Sequence, residues 1–161
     1  MSGTRPAPPI EAIRWFNTDA PLTLDALAGR VVLIEFFQML CPGCVSQGLP
    51  QATRVHEAFR REDVAVLGLH SVFEHHDAQG PVSLEAFLHE YRIAFPVGVD
   101  APGPKGGLPL TMERYEVEGT PTLVLIDRKG RLRAQHLGHV PDLHLGAEIM
   151  MLIREAAPSP A

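Results

Sequence analysis

The chain has 161 residues, enough for one domain with its own core, and it is 45% hydrophobic and 20% charged, as an ordinary globule is. With 14 Lys and Arg against 19 Asp and Glu the formal charge is −5, so there is no basic surplus to hold nucleic acid. No apolar run approaches the ~20 residues that span a bilayer, and the opening residues lack the apolar centre of a secretory leader, so the expected location is cytoplasmic, with no membrane partner.

Residues 1–9 are rich in proline and small side chains and are expected to form a flexible arm. Residues 10–157 are expected to fold as a single α/β domain, and 158–161 to fray. Ile10, Ile13, Trp15, Phe16, Leu22 and Leu24 suggest a short two-strand lead-in, followed by a turn pivoting on Gly29. Residues 31–37 are apolar except for Glu35, which predicts a central strand covered on both faces. From Pro42 to about Arg61 the spacing of Val45, Leu49, Val55 and Phe59 predicts a helix, kinked at Pro50 by the missing amide donor. Residues 64–70 read as a second buried strand, which completes a right-handed βαβ unit.

A polar loop with Glu74, His75, His76 and Asp77 comes next. Ser83 is the expected N-cap of a helix that carries Leu84, Phe87, Leu88 and Tyr91 on one face. A short strand over 93–99 is broken by Pro96, and 100–109 has no periodicity. A short helix near Thr111 to Tyr115 leads to Gly119-Thr120-Pro121. Thr122 to Asp127 and Leu132 to Leu137 predict an antiparallel pair across a tight turn, and Asp142 to about Ala156 a closing helix.

Cys41 and Cys44 are the only cysteines, and they stand just behind the first buried strand. A disulfide across so short a loop removes little unfolded-chain entropy, so it makes a poor staple. Its value is chemical, since two neighbouring thiols pass electrons as a pair. Pro42 suits the first helical position, which puts Cys41 at the N-cap and Cys44 one turn along on the same face. There the Cys41 sulfur meets unpaired amides and the positive end of the helix dipole, both of which favour thiolate. Cys41 is thus the expected nucleophile and Cys44 the resolving thiol. Glu35, in an otherwise apolar strand, is a candidate proton carrier, because burial raises a carboxyl pKa.

Strand, Cys41-Pro42-Gly43-Cys44, proline-kinked helix, strand and Gly119-Thr120-Pro121 together resemble the thioredoxin-like superfamily. Within it the chain is most similar to TlpA/ResA-type thiol–disulfide oxidoreductases and the related AhpC/TSA-type redoxins, over roughly residues 20–155. The resemblance implies a thioredoxin-like sandwich, a mixed central sheet flanked by helices on both faces, and a CXXC redox-active centre. It also implies that Pro121 is a cis-proline facing the cysteines, with Thr120 offering its backbone to a substrate strand beside Pro42 and Gly43. Thioredoxin has a buried aspartate where Glu35 stands. The implied reaction is thiol–disulfide exchange with a protein or small-molecule disulfide and a dithiol donor, without a cofactor.

The chain departs from thioredoxin in three places. Leu40 replaces the tryptophan before the first cysteine, the dipeptide is reversed to Pro42-Gly43, and the kink at Pro50 falls one residue later. Because the dipeptide tunes reduction potential in this superfamily, the direction of exchange stays open. Thiol peroxidase activity is the nearest alternative, but Gln38-Met39-Leu40 lacks the proline and hydroxyl residue of a peroxide pocket. A metal-binding or non-catalytic module is the alternative from another class. It would draw on His70, Glu74, His75, His76 and Asp77, yet adjacent histidines point apart on a surface loop, so no metal is assigned. His136, His139 and His144 show no ligand spacing in sequence.

Overall fold

In the computed structural model, which describes residues 4–159, all seven residues Val31–Phe37 are buried. The strands in chain order are β1 (Arg5–Pro6), β2 (Ala12–Phe16), β3 (Val31–Phe37), β4 (Val64–His70), β5 (Val97–Asp100), β6 (Thr122–Ile126) and β7 (Arg131–Leu137). The helices are α1 (Leu49–Ala58), α2 (Pro81–Glu90), α3 (Leu110–Arg114) and α4 (Asp142–Arg154). One sheet holds the strands in the order β1-β7-β6-β3-β4-β5-β2, with β3 parallel to β4 and antiparallel to β6.

The side chains of β3 alternate between two cores, as a strand's period of two requires. Val31, Leu33 and Phe37 pack with Leu49 and Val55 of α1, Leu84 of α2, and Leu145 and Ile149 of α4. Val32, Ile34 and Phe36 pack on the other face with Met112 of α3, Tyr115 just beyond it and Leu27 of a 3₁₀ turn. This is the thioredoxin-like sandwich expected from the sequence. No helix among the described residues is long and apolar enough to cross a membrane.

The edges of the fold differ from the expectation. The lead-in is not a two-strand unit. Ala12–Phe16 pairs with β5 at one edge of the sheet, whereas Arg5–Pro6 pairs with β7 at the opposite edge. Part of the arm expected to be flexible is therefore a strand, and Pro6 fits there because an edge strand tolerates a missing donor. Leu22 and Leu24 follow Pro21 without pairing and instead pack loosely on the second core. Residues 1–3 and 160–161 lie outside the described residues, and Pro158 and Ser159 have no regular structure.

Helix α2 is capped by Gly80 and begins at Pro81, so Ser83 is inside it rather than its N-cap. Proline at the first position needs no hydrogen bond, which makes the earlier start free of penalty. The strand expected from 93 begins only at Val97, just beyond Pro96, which has no N–H for the ladder.

Gly68 of β4 lies opposite Glu35, and a Cβ there would stand 3.1 Å from Phe37 Cε1 and Val97 Cγ2 and 3.2 Å from Phe95 Cε1. Three neighbours would have to move at once. Gly68→Ala is expected to lose about 1–3 kcal/mol of stability in urea unfolding, the range for an overpacked core. Unchanged stability would show that this core yields freely.

Candidate active site

The register of the sheet decides what faces the cysteines. Phe36 of β3 pairs with Thr122, the first residue of β6. Because the pair is antiparallel, Thr120 and Pro121 fall beside the segment that leaves β3 towards Cys41. That segment turns tightly, with the Cys41 N–H donating to the Gln38 carbonyl at 3.2 Å, and then enters a helix. The Val45 N–H donates to the Cys41 carbonyl at 3.1 Å, so Cys41 closes the first helical turn as expected of an N-cap. The Cys44 N–H points at the Cys41 sulfur, 3.2 Å away.

Cys41 and Cys44 are joined as a disulfide, with Cα atoms 5.2 Å apart. Cys41 retains a little exposure at 9% while Cys44 has none. Leu40 beside them is 54% exposed, an apolar side chain at the rim of the site.

Cys44–Gly48 is wound as a π turn, in which the Leu49 N–H donates to the Cys44 carbonyl five residues back. A π turn absorbs one extra residue without breaking the helix. This accounts for the proline falling one position later than in thioredoxin. Pro50 follows as the second residue of α1, within a helical run continuous from Pro42, so its missing N–H falls where the π turn gives way to the α-helix.

The π turn ends against Glu35. A Cβ on Gly48 would collide with Glu35 Oε1 and lie 2.9 Å from Pro121 Cβ, so only glycine fits between the carboxyl and the proline. Glu35 is 1% exposed, and neither of its carboxyl oxygens has a hydrogen-bond partner. Desolvation accordingly holds its pKa well above the ordinary carboxyl value.

The Thr120–Pro121 bond is cis, as the resemblance implied. The Thr120 carbonyl oxygen is 3.5 Å from the Cys41 sulfur, and a Cβ on Gly43 would be 3.2 Å from Pro121 Cδ. Cys41, Cys44, Glu35, Pro42, Gly43, Thr120 and Pro121 thus converge on one end of the sheet.

Gln38, His70 and Gln79 support the turn before Cys41, a role the sequence did not reveal. The Met39 N–H donates to His70 Nε2 at 3.3 Å, and the Leu40 N–H to Gln79 Oε1 at 3.0 Å. Gln79 also donates through Nε2 to Gln38 Oε1 at 3.2 Å, and that oxygen accepts the Phe73 N–H at 3.1 Å. Burial lowers the His70 pKa to about 4, which keeps the ring neutral and able to accept. The available signal was weak: buried polar residues next to apolar strands, with no spacing to connect them.

The residues weighed as ligands for the alternative metal-binding reading are not gathered into one cluster. His70 is buried at the end of β4, whereas Glu74, His75, His76 and Asp77 are exposed on the following loop. His136 and His144, which showed no ligand spacing in sequence, do come together in space, at Glu148.

The matching family model is described as the AhpC/TSA family and covers residues 4–135. A crystal structure of a thioredoxin-like superfamily protein is 59% identical, covers 95% of this chain and 99% of its own, and superposes with a TM-score of 0.93. The thiol-disulfide isomerase from Corynebacterium glutamicum is 45% identical over 93% of this chain and 98% of its own, with a TM-score of 0.89. Among curated proteins, NHL repeat-containing protein 2 of Gallus gallus is 27% identical over 74% of this chain. Protein DipZ of Mycobacterium bovis is 28% identical over 79%. The chain spans only 16% and 18% of the length of these two relatives. With its cysteine pair at a helix start facing a cis-proline in a thioredoxin-like sheet, the chain belongs to the AhpC/TSA family.

Proposed function

We propose that the protein is a thiol–disulfide oxidoreductase in which Cys41 attacks and Cys44 resolves. The observation that carries this reading is the Cys44 N–H directed at the Cys41 sulfur at the start of a helix. A thiolate there gains a hydrogen bond and the field of the helix N-terminus, while Cys44 is shut off from solvent. The likeness to a thiol-disulfide isomerase at 45% identity supports the same chemistry.

In the reducing direction the Cys41 thiolate attacks one sulfur of a substrate disulfide. A Cys41–substrate bond forms, the substrate S–S bond breaks, and the departing sulfur takes a proton. Cys44 then gives up its proton and attacks the Cys41 sulfur. The Cys41–Cys44 bond forms and the second substrate thiol leaves, so two electrons have reached the substrate. A dithiol donor restores the enzyme by the reverse sequence. Thr120 and Pro121 border the Cys41 sulfur on the side where an extended substrate would lie, with Pro42 and Gly43 as the floor of the site. Glu35 is assigned the proton of Cys44, since a desolvated carboxylate is a strong base.

Insulin reduction with a dithiol donor tests the assignment. Cys41→Ser should abolish turnover, and Cys44→Ser should leave a trapped mixed disulfide on Cys41. Equal trapping by the two variants would contradict the division of roles. A peroxidase of the redoxin type would instead consume peroxide at the same cysteine, and Gln38-Met39-Leu40 offers no pocket for it.

Glu35→Gln keeps the shape of the side chain and removes the proton acceptor. In stopped-flow kinetics with a small aromatic disulfide, attack by Cys41 should be nearly unchanged while release of the second thiol slows by about 10²-fold or more, the usual worth of a positioned base. An unchanged second step would make Glu35 structural.

The same variant has a thermodynamic signature. A carboxyl with a raised folded-state pKa holds its proton in the fold longer than in the unfolded chain. Its contribution is full below the unfolded value near 4.5 and is lost as pH rises towards the folded value. The stability of Glu35→Gln relative to wild type, measured by denaturant unfolding of the oxidised proteins, should therefore increase with pH above that point. A difference independent of pH would contradict the burial of an ionisable carboxyl.

A further inference from the structure

We propose that His136, His144 and Glu148 form a binding site for a zinc-class divalent cation on the face of β7 and α4. His144 and Glu148 are one helical turn apart on α4, so their side chains project from the same face. His136 reaches them from β7, where it pairs with Leu123 of β6. His136 Nε2 is 2.7 Å from Glu148 Oε2, and His144 Nε2 is 3.5 Å from Glu148 Oε1. One ligand atom from each of the three residues lies within 4.8 Å of the others. A tetrahedral zinc ion with bonds of about 2.0–2.2 Å separates its ligand atoms by about 3.3 Å, so small side-chain adjustments would close the set around an ion.

The donor set also fits in kind. Two imidazoles and one carboxylate are borderline ligands that suit zinc rather than calcium or magnesium, which take oxygen. Three protein ligands leave a fourth tetrahedral position open, and the His144 side chain is 60% exposed, so an ion can reach the group from solvent. The anchors are firm, because Leu145 and Ile149, the neighbours of His144 and Glu148, are buried in the core that also contains Cys44. One backbone hydrogen bond links the site's strand end to the redox centre: Gly138, two residues beyond His136, donates its N–H to the Pro121 carbonyl at 2.8 Å. A bound cation would tie α4 to β7, just before the Gly138 that hydrogen-bonds Pro121.

The test uses the full chain in its oxidised form, so that the cysteine thiolates are not available as ligands. Calorimetric titration with Zn²⁺ should give one equivalent bound, and Co²⁺ should develop the visible absorption of a tetrahedral site. His136→Ala and His144→Ala should each weaken Zn²⁺ binding by more than about tenfold, the least effect seen when even an outer-shell partner is removed. Saturating Zn²⁺ should raise the Tm of the wild type but not of these variants. The exposed-loop variant His75→Ala/His76→Ala should bind as the wild type does. If an alanine variant fails to fold, Glu148→Gln preserves the hydrogen bonding and removes the charged ligand, and it too should lose binding. The proposal is overturned if the oxidised wild type binds no Zn²⁺, or if binding survives in foldable His144→Ala or Glu148→Gln.

Discussion

The hydrogen bonding of β3 on both sides is the constraint from which the site follows. Its parallel pairing with β4 requires a crossover, and the helix that makes the crossover begins at the cysteines. Its antiparallel pairing with β6 brings the chain back in the opposite direction, so the residues before Thr122 arrive at the same end of the sheet. A slip of one residue in either ladder would turn every side chain of β3 to the other face. Glu35 would then point away from Gly48 and Pro121, and the apolar residues of β3 would exchange cores. The register is held because both faces are buried, with no solvent side to absorb an error.

Around that frame, polar groups are treated in two contrasting ways. The turn that delivers Cys41 is fixed by buried side chains from three segments: Gln38 after β3, His70 at the end of β4 and Gln79 before α2. His70 and Gln79 take up the backbone N–H groups of Met39 and Leu40, which a tight turn leaves unpaired, and Gln38 holds Gln79 in place by accepting from its Nε2. Glu35, by contrast, has no partner at all. A buried carboxyl without hydrogen bonds destabilises the fold, so its presence in the central strand calls for a chemical reason. Gly48 of the π turn lies between that carboxyl and Pro121, and the proton-transfer role proposed for Glu35 would supply such a reason.

The core elements were legible in the sequence because their signals are local. The apolar runs at 31–37 and 64–70 and the cysteine pair with Pro42 carry their meaning within a few residues. The edges were harder to read. Ala12–Phe16 and Arg5–Pro6 go to opposite margins of the sheet, a choice made by distant partners that no local pattern specifies. The π turn was visible only as a proline one residue late. The supporting turn and the meeting of His136 with His144 depend on side chains separated by strands and loops. Their residue types were apparent, but only the packed sheet sets the distances between them.

The proposed exchange reaction requires the start of the helix to convert Cys41 into a thiolate. Titration of the thiolate's ultraviolet absorbance in Cys44→Ser tests it most directly, because the variant keeps the residue-44 N–H and leaves a single thiol. One transition clearly below the free-cysteine value of about 8.5 is expected. A transition at or above that value would contradict it.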